Sequence, residues 1–344
     1  MAIRRKYFQV LFSLLVGSTS HVIAQDLHFS QFYETPMLRN PALAGLFTGD
    51  YKVQAAMRSQ WNSFQQGYRT GALNGEYKMP IGNGDDYLTA GLQFLYDRSG
   101  SVNFSTTQIL PGVNYHKSLN DQKPVYISFG IMGGVIRKSI DVSRITTDAQ
   151  YQDFYNGDLP IGETDLLPAF STWDASAGIS FNSSFGKSEK NMFFLGASYQ
   201  HLNRPSNSFY RAVAIEMNPK YVFSAGVRLG VNEYSNFTLQ ADQALQGEFS
   251  ETVAGALYNY NLSNNPDDDE YILSFGAFLR WKDAVIPVIK LQKEAYSIGL
   301  SYDVNTSPLK TGTQLRGGFE LTLTYIGFTR KAGSTQEKVV CPRF

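Results

Sequence analysis

Histidine, serine and carboxylate side chains are the first candidates for catalysis, and the chain offers few useful arrangements of them. Of its 4 histidines, three lie beyond residue 24: His28, His116 and His201. A serine hydrolase needs a serine beside a histidine that a third group orients, whereas His116 and His201 fall at the ends of predicted strands. No nucleophile elbow, phosphate-binding loop or HExxH zinc motif occurs. The sequence therefore predicts no enzyme and no catalytic residue.

Metal chemistry is equally poorly supported. The run Asp267–Glu270 offers carboxylates that could bind calcium, but it lacks the spaced ligands and the glycine of a calcium loop, so a solvated acidic turn is favoured. The single cysteine, Cys341, excludes both a disulfide within the chain and a site built on several thiolates. It either pairs with another protein or has no role. We therefore expect no metal and no cofactor.

The overall composition limits the class of protein. The 30 basic and 30 acidic side chains cancel, which gives no electrostatic basis for binding nucleic acid. Charged residues make up only 17% of the chain and aromatic residues 14%, and glycine is frequent. A secreted β-sandwich and a membrane β-barrel both fit this composition, but few charges and many aromatics favour the barrel.

The first residues predict export. Arg4, Arg5 and Lys6 precede a short apolar segment over 8–16, and Ala24 ends a small-residue cleavage pattern, so residues 1–24 are a predicted signal peptide and the mature chain is expected to begin at Gln25. No later apolar run approaches the roughly eighteen residues of a membrane helix. Export without such a helix points to the bacterial outer membrane.

Alternating strands are the main structural signal. In the segment 319–325, Phe319, Leu321, Leu323 and Tyr325 alternate with polar residues, which gives one apolar and one polar face. The same period recurs along the chain in segments of roughly ten residues, as in transmembrane β-barrels. The predicted strands are 51–61, 68–79, 86–97, 103–117, 124–137, 172–182, 191–201, 219–231, 236–246, 250–262, 270–281, 284–293, 295–304 and 314–328. The sequence thus predicts an all-β, antiparallel transmembrane barrel of about 14 strands, with residues 51–328 forming the barrel.

The predicted connections agree with this count. If the first strand starts in the periplasm, the even-numbered connections are short periplasmic turns, and the two longest connections, 138–171 and 202–218, both fall on the outside. Pro111 and Pro287 weaken two strands because proline cannot donate to a strand ladder.

The charged residues indicate which face of the barrel is inside. Nine of them lie on the polar phase of the strands: Arg58, Glu76, Lys78, Asp174, Arg228, Asp242, Arg280, Asp303 and Glu320. A basic side chain on the lipid face would cost roughly 2–4 kcal/mol at the bilayer centre. Arg58, Arg228, Arg280 and Glu320 are therefore expected to point into the lumen. Because both signs occur, they favour a network of ion pairs across the lumen over a charge-selective pore.

Residues 25–50 do not alternate and form an irregular lead-in. This segment either plugs the lumen or packs beneath the periplasmic mouth, since its aromatic side chains would otherwise be exposed. Phe29, Gln31, Phe32 and Asn40 are its candidate lumen contacts.

Two other segments are candidate partner surfaces. The long loop 138–171 carries apolar and aromatic side chains that suit a protein interface, unless the loop folds over the barrel mouth and buries them itself. Its candidate contacts are Tyr151, Phe154, Tyr155, Leu159, Leu166 and Leu167. Residues 329–344 are expected to form a basic periplasmic tail that either contacts periplasmic machinery or is simply solvated.

The order of several short motifs resembles one known family over most of the chain. The motifs are His28-Phe29-Ser30-Gln31-Phe32-Tyr33, Asn40-Pro41-Ala42-Leu43-Ala44-Gly45, Arg58-Ser59-Gln60-Trp61, Tyr302-Asp303-Val304-Asn305-Thr306-Ser307, Gly317-Gly318-Phe319-Glu320-Leu321 and Cys341-Pro342-Arg343-Phe344. Together they resemble the PorP/SprF outer-membrane proteins of Bacteroidota.

The resemblance implies a non-enzymatic outer-membrane barrel of the type IX secretion system. Such a barrel would assist the export or surface attachment of one large secreted protein, such as a gliding adhesin. Its implied partners are that secreted cargo, the type IX translocon or periplasmic machinery, and outer-membrane lipid. The alternative from the strand pattern alone is a diffusion channel for a small or apolar solute, which an open lumen would favour.

Overall fold

A computed structural model describes residues 26–60, 67–82, 85–120, 122–150, 162, 165–186, 191–265, 270–307 and 316–329. The described residues form fourteen antiparallel strands that close into one barrel, in which each strand pairs with the next and the first pairs with the last. The strands are β1 Tyr51–Gln60, β2 Tyr68–Pro80, β3 Tyr87–Ser99, β4 Phe104–Ser118, β5 Val125–Ser139, β6 Ala169–Ser184, β7 Met192–Gln200, β8 Lys220–Gly230, β9 Ser235–Gln246, β10 Phe249–Asn261, β11 Tyr271–Arg280, β12 Ala284–Lys293, β13 Tyr296–Asn305 and β14 Arg316–Gly327.

The predicted fold class is confirmed. Every predicted strand is present, and the largest difference in a strand end is at β6, which was expected to begin at 172 and begins at Ala169. The expected effect of proline is also visible. The β4–β5 pairing skips Leu110 and Pro111, and the β12–β13 pairing skips Ile286 and Pro287.

The two faces of the wall follow from the period of two. On β1, Met57 is 62% exposed and points outward, whereas its neighbour Arg58 is 4% exposed and points into the lumen. Outward Tyr51, Tyr296 and Tyr325 cluster at one end, with ring centroids 5.8 Å apart for Tyr51 and Tyr325 and 4.8 Å apart for Tyr296 and Tyr325. Clustered aromatic side chains at an apolar wall are typical of a membrane interface.

The connections define two ends of the barrel. The long connections 140–168 and 201–219 lie at one end, here named the long-loop end, and the tight β12–β13 turn lies at the other, the short-turn end. Outer-membrane barrels place short turns in the periplasm and longer loops outside. In the described part of the chain, no helix is long and apolar enough to cross a membrane.

The lead-in, residues 26–50, contains the remaining regular structure before the wall. It has two 3₁₀ turns, Phe32–Glu34 and Pro41–Leu43, and one short helical turn, Pro36–Arg39. Prolines open the second and third of these turns, where the missing N–H carries no penalty. Most of the lead-in is buried inside the barrel.

Candidate functional site

The lead-in crosses the lumen from one end of the barrel to the other. It starts at the long-loop end, where the Asp26 carboxylate lies 2.8 Å from His201 Nε2. It finishes at the short-turn end, where the Asp50 N–H donates to the Gly327 carbonyl at 2.8 Å. Between these points it contacts inward-facing side chains all around the wall. Of the two positions expected from the sequence, under the mouth or within the lumen, the structure shows the second.

Near the long-loop end, two wall carboxylates hold the backbone and side chain of the lead-in. The N–H groups of Ser30 and Gln31 each donate to the Glu320 carboxylate at 2.7 Å. The Ser30 hydroxyl donates to Asp303 at 2.6 Å. This arrangement satisfies backbone donors that have no strand or helix partner, which a buried irregular segment requires.

Two buried arginines neutralise this acidic pair. Arg58 donates to Asp303 at 2.7 Å and to the His28 carbonyl at 2.5 Å. Arg280 donates to Asp303 at 3.1 Å and to the Ser30 hydroxyl at 2.8 Å. The side chains of Arg58 and Asp303 are each only 2% exposed. Breaking such a buried pair would leave one charge buried without a partner, which is costly. The network therefore fixes the position of the lead-in.

The start of the lead-in is held by a second charged cluster. His201, just beyond β7, lies between Asp26 and Asp174, with the Asp174 contact at 3.0 Å, and Lys220 lies 3.5 Å from Asp26. Burial alone would lower the pKa of His201, but the two carboxylates outweigh it and raise the pKa to about 9. At neutral pH His201 therefore carries a charge that attracts Asp26.

Midway along the lumen, the lead-in combines aromatic packing with charge pairs. Phe32 packs edge-on against Phe278 of β11, with ring centroids 5.3 Å apart. Arg39 donates from Nε to Asp242 of β9 at 2.6 Å. Its guanidinium also lies 4.8 Å from the centre of the Phe32 ring. Glu34 accepts hydrogen bonds from Gln54 and Lys290.

On the opposite side of the lumen, the lead-in approaches the wall backbone directly. The Asn40 amide donates to the carbonyls of Ile179 and Ala197, at 3.1 and 3.2 Å. This approach needs a glycine at position 178, because a Cβ there would lie 1.9 Å from the Asn40 side-chain oxygen. Gly130 has the same role, since its Cβ would lie 2.4 Å from the Ala42 nitrogen.

The short-turn end of the lead-in is held by two wall residues of β2. Glu76 accepts the Gly45 N–H at 2.6 Å, and Lys78 donates to the Phe47 carbonyl at 2.5 Å. The Lys78 ammonium also lies 4.5 Å from the centre of the Phe47 ring. These contacts lead the chain into β1.

A cavity of about 870 Å³ remains between the lead-in and the wall from β7 through β14 to β1. Its lining mixes apolar side chains, such as Leu43 and Leu257, with charged ones, such as Arg228 and Lys290. It reaches the β12–β13 turn at Glu294 and so lies in the half of the lumen nearest the short-turn end. The lead-in forms one of its walls.

The histidines are structural contacts. His116 is fully buried: its Nδ1 lies 2.7 Å from the Ser128 hydroxyl, and its Nε2 lies 2.8 Å from the Ala44 carbonyl. Its ring stacks on Tyr87 with centroids 4.0 Å apart. Both ring nitrogens of His116 thus face protein partners beneath the lead-in. Among the described residues, no three His, Cys, Asp or Glu side chains are arranged so that they could hold a metal ion.

The structure places the sequence-derived site residues in two regions. The lumen candidates Phe29, Gln31, Phe32, Asn40, Arg58, Arg280 and Glu320 are all buried inside the barrel, and Arg228 lines the cavity. Leu166 and Leu167 lie at the long-loop end and are half-buried; Leu166 pairs with Tyr210, and the Leu167 N–H donates to the Phe209 carbonyl at 2.7 Å. Tyr151, Phe154, Tyr155 and Leu159 lie outside the described residues.

Several lead-in anchors were absent from the sequence-derived set. Asp26, Glu34 and Arg39 stand in a segment with no period, so no face could be assigned to them. The charges themselves were a usable signal. Charged residues in a segment that plugs a lumen need partners of opposite sign on the wall, so these three could have been named as anchors. His201 was expected at an interface and instead binds the lead-in.

Comparison with known families decides the identity of the barrel. The family model described as type IX secretion system membrane protein PorP/SprF matches residues 22–325. The chain belongs to this family. As a PorP/SprF protein it is an outer-membrane β-barrel of the type IX secretion system, which confirms the family and the location expected from the sequence. The family and the fold are those of secretion and transport membrane proteins.

Solved structures share only the barrel shape with this PorP/SprF protein. The CymD monoaromatic hydrocarbon channel is 8% identical, with a TM-score of 0.48, over 89% of this chain and 96% of that one. A Pseudomonas aeruginosa FadL homologue is 10% identical, with a TM-score of 0.48, over 85% and 94%. The NalP autotransporter translocator domain from Neisseria meningitidis is 10% identical, with a TM-score of 0.41, over 85% and 93%. These values support no argument about function. No curated protein matches the chain.

Proposed function

We propose that this PorP/SprF barrel is a closed, non-enzymatic component that assists the export or surface attachment of one large secreted protein. The observation that carries the proposal is the lead-in, which crosses the lumen. It is held by buried ion pairs of Arg39 with Asp242 and of Asp26 with His201, and by a hydrogen bond from Arg58 to the His28 carbonyl. A barrel whose lumen is occupied in this way suits a docking role better than free passage of solutes. A gliding adhesin is one class of cargo that fits.

Free diffusion of a solute is the alternative function. The cavity of about 870 Å³ supports it in part, because a small amphipathic solute could enter from the short-turn end. To go further, that solute would have to displace the lead-in and separate Arg39 from Asp242 and Glu34 from Lys290. Separating buried pairs costs about 3–5 kcal/mol when one charge is left alone. We therefore favour the closed barrel.

The long-loop end is the proposed contact surface for the cargo. Outer-membrane barrels direct their longer loops outward, and the loop 138–171 carries the candidate contacts Tyr151, Phe154, Tyr155, Leu159, Leu166 and Leu167. Phe209 supports this end by packing edge-on against Phe170, with ring centroids 4.9 Å apart. The short-turn end and the tail 329–344 are the corresponding surface for periplasmic machinery.

A comparative pulldown tests the proposal. The tagged barrel is recovered from gently solubilised outer membranes of its own host, as wild type and as two variants. The first variant replaces residues 151–161 with a short Gly-Ser linker. The second, the control, makes the same kind of replacement at 187–190 in a short turn. We expect one large secreted protein to accompany the wild type and the control and to be lost with the loop variant. Recovery of the barrel without a secreted protein would contradict the proposal.

A further inference from the structure

Three arginines lie on the outer face of the wall at the long-loop end. Arg69 of β2, Arg98 of β3 and Arg137 of β5 are all exposed and occupy outward positions, because their neighbours Thr70, Asp97 and Ile136 are buried in the lumen. These arginines therefore stand on the side of the wall that faces lipid. The function proposed above makes no use of them.

The register brings the three arginines and two hydroxyls into one group. Arg69 is directly opposite Arg98, Arg98 is opposite Ser105, and Ser105 is opposite Ser139. The hydroxyls of Ser105 and Ser139 are 2.7 Å apart. Arg137 lies two residues below Ser139 on the same strand. Strands β2–β5 thus place Arg69, Arg98, Ser105 and Ser139 in one row, with Arg137 just below it. We name this group the rim patch.

In the described part of the chain, the rim patch has no ion-pair partner. Like charges directly opposite each other on neighbouring strands destabilise a sheet. Among the described residues, no ion pair involves Arg69, Arg98 or Arg137. The neighbouring acids are engaged elsewhere: Asp97 points inward to Thr70, and Asp141 binds Arg144.

The position of the rim patch indicates where the balancing anion comes from. Directly below it, the outward positions hold Tyr96, Phe94 and Ile109, which are 41%, 37% and 49% exposed and form part of the lipid-facing wall. An aromatic side chain such as Tyr96 marks the membrane interface. The arginines therefore stand at the height of lipid headgroups. On β9 and β10 the corresponding outward positions, Gln243 and Thr252, face each other and carry no charge.

We propose that the rim patch binds the phosphate of an anionic glycolipid in the outer leaflet. Arginine matches phosphate because its planar guanidinium donates two parallel hydrogen bonds. Arg98 is already oriented, since its Nε donates to Asn103 at 3.0 Å. One of the Ser105 and Ser139 hydroxyls donates to the other, which leaves the second as one further donor. The acyl chains of the same lipid would lie along the apolar wall below. Such a site would fix the rotation of the barrel relative to bound lipid.

The test measures lipid retained on the full-length barrel. The protein is purified in non-ionic detergent, mixed with bisphosphorylated lipid A, and examined by native mass spectrometry. The patch variant R69Q/R98Q/R137Q is compared with the control variant R204Q/R211Q/K282Q, which removes three exposed cations from the same end outside the patch. Neutral phosphatidylcholine and inorganic phosphate serve as comparison ligands.

We expect the patch variant to bind lipid A roughly tenfold or more weakly than wild type, since each basic residue near an anionic headgroup contributes measurably. The control variant should bind like wild type, and added salt should weaken binding. Equal binding by the patch variant and wild type would overturn the proposal. So would phosphatidylcholine binding that matches lipid A, or inorganic phosphate that displaces lipid A at equal concentration. If the triple variant fails to assemble, R98E alone should still lower lipid A binding.

Discussion

Asp303 shows how single residues fix the lead-in. It accepts hydrogen bonds from Arg58, Arg280 and Ser30, so one carboxylate joins two wall arginines to the plug. The two arginines would repel each other without it. A buried charge network of this kind is more sensitive to the loss of one member than an exposed pair is.

We therefore predict that Asp303→Leu strongly destabilises the folded barrel. Two buried guanidiniums would lose their common partner, at a cost of about 3–5 kcal/mol. The measurement is the urea concentration at the midpoint of unfolding in lipid vesicles. Unfolding is monitored by the heat-dependent shift of the barrel's mobility in a gel. Asp141→Asn is the control, because its partner Arg144 is exposed and the midpoint should barely move. An unchanged midpoint for Asp303→Leu would show that the network does not hold the plug.

The charge on His201 makes the start of the lead-in sensitive to pH. The pKa of His201 is raised from 6.5 to about 9, so its contribution to stability is complete below the unfolded value of 6.5 and is lost as pH rises through about 9. Asp26 behaves oppositely: its pKa is lowered, by Lys220 and His201 against the effect of burial, so it remains charged throughout this range.

We accordingly expect the lead-in to loosen at its start in alkaline solution. The variant Leu27→Cys, in a Cys341→Ser background, should react faster with a thiol reagent as pH rises through 9, after correction for the ionisation of a free thiol. His201→Gln should give fast labelling at every pH, with no step. A wild-type protein without a step would mean that other contacts hold the start of the segment.

At the scale of elements, the strands and the lead-in differ in how far the sequence predicts them. Strands such as β3 were predictable because polar and apolar residues alternate, and burial of one face follows from the period. The lead-in has no period, and its contacts join residues that are distant in sequence. Ser30 and Glu320, for example, are 290 residues apart. Sequence therefore indicated that the aromatics of the segment must be buried, but not along which path.

The path of the lead-in depends on glycines in the wall, which leave room for its backbone because they have no side chain. Gly130→Val should push the Pro41–Leu43 turn off β5, because even a Cβ at this position would lie 2.4 Å from Ala42 nitrogen. We expect faster proteolysis within the lead-in and a lower unfolding midpoint, since overpacking reduces the free energy of unfolding by about 1–3 kcal/mol. Gly75→Val is the matched control, since nothing lies within 4 Å of a Cβ there. If Gly130→Val and Gly75→Val gave the same proteolysis rate and the same unfolding midpoint, the lead-in would not pass close to Gly130.

At the scale of the whole molecule, the barrel and its lead-in form a closed unit with two distinct ends. The wall supplies an apolar outer surface. Hydrogen bonds and ion pairs inside tie the lead-in to strands around the circumference, from Glu76 of β2 through Asp242 of β9 to Glu320 of β14. The fourteen-stranded wall is wide enough to enclose a segment of this size. Whether solutes pass therefore depends on the lead-in rather than on the wall.

The wild-type barrel should consequently show no steady conductance in a planar bilayer, whereas a variant lacking residues 26–44 should conduct. Removing the segment frees the space between Asp303 on one side and Asp242 on the other. If that deletion prevents assembly, the double variant Asp303→Leu, Asp242→Leu keeps the full chain. It breaks the ion pairs of these two wall carboxylates at different levels of the lumen, and we expect brief channel openings. Gly75→Val should stay closed. Steady current through the wild type would mean that the lead-in leaves the lumen in a membrane, and the diffusion channel would then replace the closed docking barrel as the better function.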